Sequence, residues 1–124
     1  MTRILYVDDE PDIREIATLS LSLDPELEIR SCASGSEALT TVDDWRPDLI
    51  LLDVMMPGMD GPTTLAKLRD NPSATAIPVV FITARTQARE LDRFLALGAA
   101  GIIAKPFDPM KLAETAKGFL RSDS

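Results

Sequence analysis

Apolar residues fall into five short blocks, and each block is followed by a stretch with helical spacing. Ile4-Leu5-Tyr6-Val7, Leu27 to Cys32, Leu49-Ile50-Leu51-Leu52, Pro78 to Ile82 and Gly101-Ile102-Ile103-Ala104 have the length of strands. The third and fourth blocks are apolar throughout rather than alternating, as expected of strands covered by helices on both faces. Between the blocks, apolar residues recur three and four apart. They are Ile13, Ile16, Ala17 and Leu21; Ala38, Leu39 and Val42; Leu65 and Leu68; Leu91, Phe94 and Leu95; and Leu112, Ala113, Ala116, Phe119 and Leu120.

The punctuation residues agree with this division. Pro11 suits a first helical position, and Ser34-Gly35-Ser36-Glu37 reads as a capping box with Ser34 as N-cap and Glu37 reaching back to it. Trp45 closes the second helix. The third starts near Gly61-Pro62 and ends before Asn71-Pro72, and Gly98 stops the fourth. Asp108 is expected to cap the fifth, with Pro109 at its first position. Five strand–helix units in series predict a parallel α/β sheet with right-handed crossovers, in one domain over residues 1–124.

Composition narrows the function. The chain is 45% hydrophobic and 27% charged, an ordinary balance for a globular domain. Its net charge is −7, and no Lys/Arg-rich run is present, so direct binding to nucleic acid is not expected. There is no histidine, which removes Ser-His-Asp and Cys-His catalysis, histidine metal sites and any role as a phosphohistidine donor. The single cysteine, Cys32, excludes an internal disulfide and reads as a core thiol. Met1-Thr2-Arg3 leads directly into the first strand, and no apolar run approaches the ~18 residues of a membrane span. The expectation is a free-standing cytoplasmic domain with no membrane contact.

The chemistry gathers at the strand ends. Val7 is followed by Asp8-Asp9-Glu10, Leu52 by Asp53, Ile82 by Thr83-Ala84 and Ala104 by Lys105-Pro106. In open parallel sheets, ligands bind beyond the carboxyl ends of the strands, so these groups should converge. Three carboxylates in one cleft repel unless a cation sits among them, and Mg2+ suits oxygen donors beside a phosphate. Lys105 is a point charge suited to a phosphoryl group, while the Thr83 hydroxyl and the Ala84 backbone N–H add donors. Asp53, single and central, is the carboxylate best placed to act as nucleophile and form an aspartyl phosphate. Taken singly each feature has a plainer reading. Asp9 or Thr83 could cap a helix, Asp53 could end a strand, Lys105-Pro106 could be a solvated turn, and Met55, Met56 and Met59 read as turn and core fillers. Four such features at consecutive strand ends are hard to read that way together.

Val7-Asp8-Asp9-Glu10, the segment Leu52 to Gly61, Ile82-Thr83-Ala84 and Ala104-Lys105-Pro106-Phe107 resemble the signature set of the response-regulator receiver (CheY-like) family of two-component signalling. The resemblance covers essentially the whole chain. It implies a flavodoxin-like (βα)5 doubly wound fold with strand order 2-1-3-4-5. It implies that Asp53 accepts a phosphoryl group from a partner phosphohistidine, on a sensor histidine kinase or a histidine phosphotransfer protein. Asp9, Asp53 and the Met55 backbone carbonyl would ligate Mg2+, with Asp8 acting through water. Thr83 would follow the phosphoryl group as the switch hydroxyl, and Lys105 would pair with it, its bond to Pro106 being cis. The output would be a changed contact with a downstream protein target, through the fourth helix, fifth strand and fifth helix, or a weak phosphorylation-dependent homodimer.

One position departs from the pattern. Receivers usually carry Tyr or Phe three residues before the lysine, where this chain has Ile102. Ile102 can pack in either state but cannot swing a hydroxyl, which puts the usual coupling to the fourth helix in doubt. Two other readings compete: a pseudo-receiver that binds without being phosphorylated, and an aspartyl-phosphate hydrolase. A hydrolase would carry its second acid two residues after the nucleophile, where Met55 stands, so no small-molecule turnover is expected beyond the domain's own phosphorylation and dephosphorylation. A flavin or nucleotide binder would need a glycine- or Ser/Thr-rich loop in place of Asp8-Asp9-Glu10-Pro11.

Overall fold

Strands that are apolar on both faces, as Leu49 to Leu52 and Val79 to Ile82 are, must be covered on both faces, and five strand–helix units in series then leave few arrangements. The computed structural model describes residues 1–121. The order is β1 (Thr2–Val7), α1 (Pro11–Ser22), β2 (Leu27–Cys32), α2 (Gly35–Asp44), β3 (Leu49–Asp53), α3 (Gly61–Asp70), β4 (Val79–Thr83), α4 (Ala88–Ala96), β5 (Gly101–Ala104) and α5 (Leu112–Arg121). The strands form one parallel sheet in the order β2-β1-β3-β4-β5. This is the flavodoxin-like topology that the resemblance implied.

The pleat divides the core in two. Leu5, Val7, Ile50, Leu52, Val79 and Phe81 face Ala38 and Val42 of α2, Leu65 and Leu68 of α3 and Phe94 of α4. Ile4, Tyr6, Leu49, Leu51, Val80 and Ile82 face Ala17 and Leu21 of α1 and Leu112 and Ala116 of α5. Each fully buried Leu, Ile or Phe contributes about 1.5–3 kcal/mol, so these two layers dominate stability. Phe81 and Phe94 add an edge-to-face contact with ring centroids 5.0 Å apart.

Local details correct several expectations. α5 begins at Leu112, not at Pro109; the Asp108 carboxylate instead accepts the Met110 N–H at 2.9 Å and shapes the preceding turn. Ser34 does cap α2, accepting the Glu37 N–H at 3.1 Å, but Glu37 reaches back to the N–H of Ala33 rather than to that of Ser34. Ile16 and Leu95 keep the helical spacing yet lie on exposed faces. Asp60, given no role in the sequence reading, is the N-cap of α3 through the Thr63 N–H at 2.9 Å. Trp45 ends α2 as expected, beneath the guanidinium groups of both Arg3 and Arg30. Gly98 follows α4 with φ of +104°, the left-handed stop that glycine allows. Cys32 is buried, its thiol beside the Thr41 hydroxyl, and burial pushes its pKa up, as befits an inert core group. Among the described residues no helix is long and apolar enough to cross a membrane.

Candidate functional site

The sheet register brings the acidic strand ends together. Val7 pairs with Leu52, so Asp8 and Asp53 follow as neighbours at the carboxyl edge of β1 and β3. Both side chains are buried, Asp53 at 3% exposure and Asp8 at 0%, with Asp9 half-buried beside them. One carboxylate oxygen from each of the three lies within 4.8 Å of the others. β5 brings in the cation: Lys105 Nζ stands 3.1 Å from Asp8 Oδ2 and 3.4 Å from Asp53 Oδ1. The peptide bond from Lys105 to Pro106 is cis, as expected.

Asp8 has fixed partners for both oxygens. Oδ1 accepts the Glu10 N–H at 3.0 Å, while Oδ2 accepts the Tyr6 hydroxyl at 3.0 Å and faces Lys105. The Arg14 guanidinium holds the same residue's backbone carbonyl at 2.7 Å. Asp8, Asp9 and Asp53 together offer an all-oxygen donor set of the kind that suits Mg2+.

Three acids against one lysine leave the pocket electrostatically uncompensated. Burial, followed by the Asp8 charge, lifts the Asp53 pKa from 3.8 to about 6, although Lys105 pulls the other way. For Lys105, burial works to lower the pKa, but the carboxylates of Asp8 and Asp53 outweigh it and hold the amine above its ordinary value. It therefore stays an ammonium throughout the physiological range. Burial and the adjacent Asp8 push Tyr6 well above its ordinary value, so its phenol stays a neutral donor.

Thr83, the last residue of β4, is buried, and its Oγ1 accepts the Arg85 N–H at 2.9 Å. Its carbonyl accepts the Lys105 N–H at 2.9 Å, which ties the hydroxyl-bearing and ammonium-bearing strand ends together. Ala84 is exposed at the rim, as is the Met55 side chain, at 65%. Ile102 pairs in register with Phe81 and packs on the α4 side of the sheet. With Thr86, Leu91 and Leu95 it lines a groove between α4 and β5.

The site depends on two residues that the strand-end pattern did not single out. A Cβ on Gly61 would sit 2.6 Å from the Asp53 carbonyl oxygen and 2.9 Å from Val54 Cα, so only glycine lets α3 begin against this strand end. Tyr6 reads in the sequence as a core strand residue. The signal was its place two residues before Asp8, which puts both on one face of β1.

Residues 4–117 match the family described as the response regulator receiver domain. The chain belongs to that family. It is 38% identical over 119 residues to the DNA-binding response regulator MtrA of Mycolicibacterium smegmatis, a match covering 96% of this chain and 50% of that protein. It is 40% identical to the response regulator PleD of Caulobacter vibrioides, covering 96% of this chain and 26% of PleD. The chain thus spans about half the length of MtrA, or less in the case of PleD. Among solved structures, the chemotaxis protein CheY4 of Vibrio cholerae superposes with a TM-score of 0.88 at 32% identity, covering 96% of this chain and 98% of that one. As a receiver domain of two-component signalling, the chain has a fold and a family that two independent likenesses support, one of sequence and one of shape.

Proposed function

We propose that this receiver domain takes a phosphoryl group onto Asp53 from the phosphohistidine of a sensor kinase or histidine phosphotransfer protein. The observation that carries the reading is a buried Asp53 with Lys105 3.4 Å away and two further carboxylates within 4.8 Å. Asp9, Asp53 and the Met55 backbone carbonyl would hold magnesium, with Asp8 acting through water, and the bound ion would supply positive charge beside the phosphoryl oxygens. The chain's own residues do the rest. An Asp53 carboxylate oxygen forms the O–P bond as the partner's N–P bond breaks, and the electron pair of that bond returns to the imidazole. Lys105 and the Ala84 N–H meet the charge that spreads over the phosphoryl oxygens. Thr83 accepts from Arg85, which leaves its own proton to donate to the phosphoryl group.

Intact-mass measurement after treatment with acetyl phosphate tests this. The expected result is one added phosphoryl mass with Mg2+ and none in chelator. Wild-type protein that stays unmodified with Mg2+ present would remove the reading.

The output we assign to the face of α4, β5 and α5, where Leu91, Leu95 and Ile102 open a groove beside the loop that follows Thr83. Ile102 offers no hydroxyl to exchange, so the bias between states must come from the phosphoryl group's own differential contacts. Amide NMR with a beryllofluoride mimic should show shifts reaching residues 86–104. Shifts confined to the surroundings of Asp53 would place the output elsewhere.

A further inference from the structure

The hydroxyl of Tyr6 has no packing role that a phenylalanine would not fill. Its ring lies wholly buried among Ile4, Leu51, Val80 and Ile82, in the layer that α1 and α5 cover. A phenol in such a place needs a partner for its proton, and that partner is Asp8 Oδ2 at 3.0 Å. The same oxygen faces Lys105 at 3.1 Å, and the same ammonium faces Asp53 at 3.4 Å. A four-group chain therefore runs from the floor of the core to the candidate acceptor: phenol, carboxylate, ammonium, carboxylate.

We infer that Tyr6 is a positioning residue for the receiver's reaction, holding Asp8 so that Lys105 is shared with Asp53 rather than captured by Asp8. The reason lies in how a fully buried carboxylate is satisfied. Asp8 is at 0% exposure and takes its donors from the backbone of Glu10, from Tyr6 and from Lys105. If the neutral donor is removed, the only mobile donor left to Oδ2 is the lysine. Lys105 then moves toward Asp8 and away from the oxygen that is to carry the phosphoryl group. Asp8, less firmly held, also becomes free to turn toward the metal and compete with Asp9. Tyr6 touches none of the reacting atoms, and its effect passes entirely through Asp8 and Lys105. The inference rests on the phosphoacceptor reading, and its test separates the two.

The experiment compares wild type with Tyr6→Phe, using acetyl phosphate as donor and following adduct formation at saturating Mg2+. The expected result is a rate lower by roughly tenfold, since a hydrogen bond to a charged group is lost. The melting temperature should stay within a few degrees, because the ring still fills its place. In metal-free protein, the Lys105 ammonium resonance should shift in Tyr6→Phe, a change that a purely structural role would not produce. Tyr6 is the chain's only tyrosine, so its ring-stretching infrared band, free of the overlap with Trp45 that affects near-UV absorption, reports this one phenol, and Asp8→Asn should move that band.

A wild-type rate with an unmoved Lys105 signal overturns the inference. So does a large fall in melting temperature with that signal unmoved, which would make the hydroxyl structural. If Tyr6→Phe does not fold, an unchanged tyrosine band in Asp8→Asn overturns it instead. If wild type itself forms no adduct, the phosphoacceptor reading falls, and the metal-free Lys105 signal still decides the role of Tyr6.

Discussion

Asp53→Asn should form no phosphoryl adduct under conditions that label the wild type to completion. The amide keeps the size of the carboxylate but loses the charged oxygen that, on the proposed function, would attack phosphorus, and neither Asp8 nor Asp9 is placed to replace it. Asp8 has both oxygens engaged by the Glu10 N–H, Tyr6 and Lys105, and is wholly buried. Asp9 is more open but does not stand against the ammonium; Lys105 faces Asp8 and Asp53. Asp9→Ala should leave the acceptor in place but slow labelling on the order of 10²-fold or more and abolish its dependence on Mg2+. Metal stabilisation of transferring charge is worth several kcal/mol, and each 1.36 kcal/mol is a factor of ten. Intact-mass time courses at several Mg2+ concentrations measure both. Undiminished adduct in Asp53→Asn would move the acceptor elsewhere.

The same substitution should stabilise the metal-free protein. Folding raises the Asp53 pKa from 3.8 to about 6, chiefly by burial and then by the neighbouring Asp8 charge. The folded chain therefore binds this proton more tightly than the unfolded chain does. The associated stability is fully present below about pH 4 and is lost as pH rises through about 6. At neutral pH the ionised Asp53 thus costs the fold up to about 3 kcal/mol, at 1.36 kcal/mol per pKa unit. Asn carries no such cost, and Lys105 remains paired with Asp8 at 3.1 Å, so no buried ammonium is stranded. Metal-free Asp53→Asn should melt several degrees above wild type at pH 7.5, and the gap should close as the pH falls toward 4. Millimolar MgCl2 should raise the wild type and narrow the gap from the other side, since binding only the native state stabilises it. Parallel melting curves for the two proteins at every pH, with or without Mg2+, would show that the carboxylates do not strain the fold.

Much of this molecule can be read from its residues because the physics involved is local or periodic. Leu49 to Leu52 and Val79 to Ile82 lack alternation, and only a sheet covered on both faces accepts such strands. Asp8, Asp53, Thr83 and Lys105 could be grouped before any coordinates, because a parallel sheet puts all its strand C-termini on one edge. The places where the reading slipped are those where local signals compete. Asp108-Pro109 is a good helix start by type, yet Asp108 spends its carboxylate on the Met110 N–H and the helix waits until Leu112. Ile16 and Leu95 have core spacing, but whether a helical position is covered depends on what packs there, and these two stay 44% and 51% exposed.

By itself, then, the sequence determined the strand–helix order, the acidic and basic residues at the sheet's edge, and the absence of histidine chemistry. These follow from composition, spacing and the two periodicities of the backbone. Only the tertiary structure decided which oxygen faces which donor. That Asp8 is saturated by Glu10, Tyr6 and Lys105, that Lys105 is shared at 3.1 and 3.4 Å, and that Gly61 must lack a side chain against Asp53 all depend on distances between strands far apart in the chain. Hydrogen bonds and buried charges act over a few ångströms, so their partners are set by packing, which spacing along one strand cannot express.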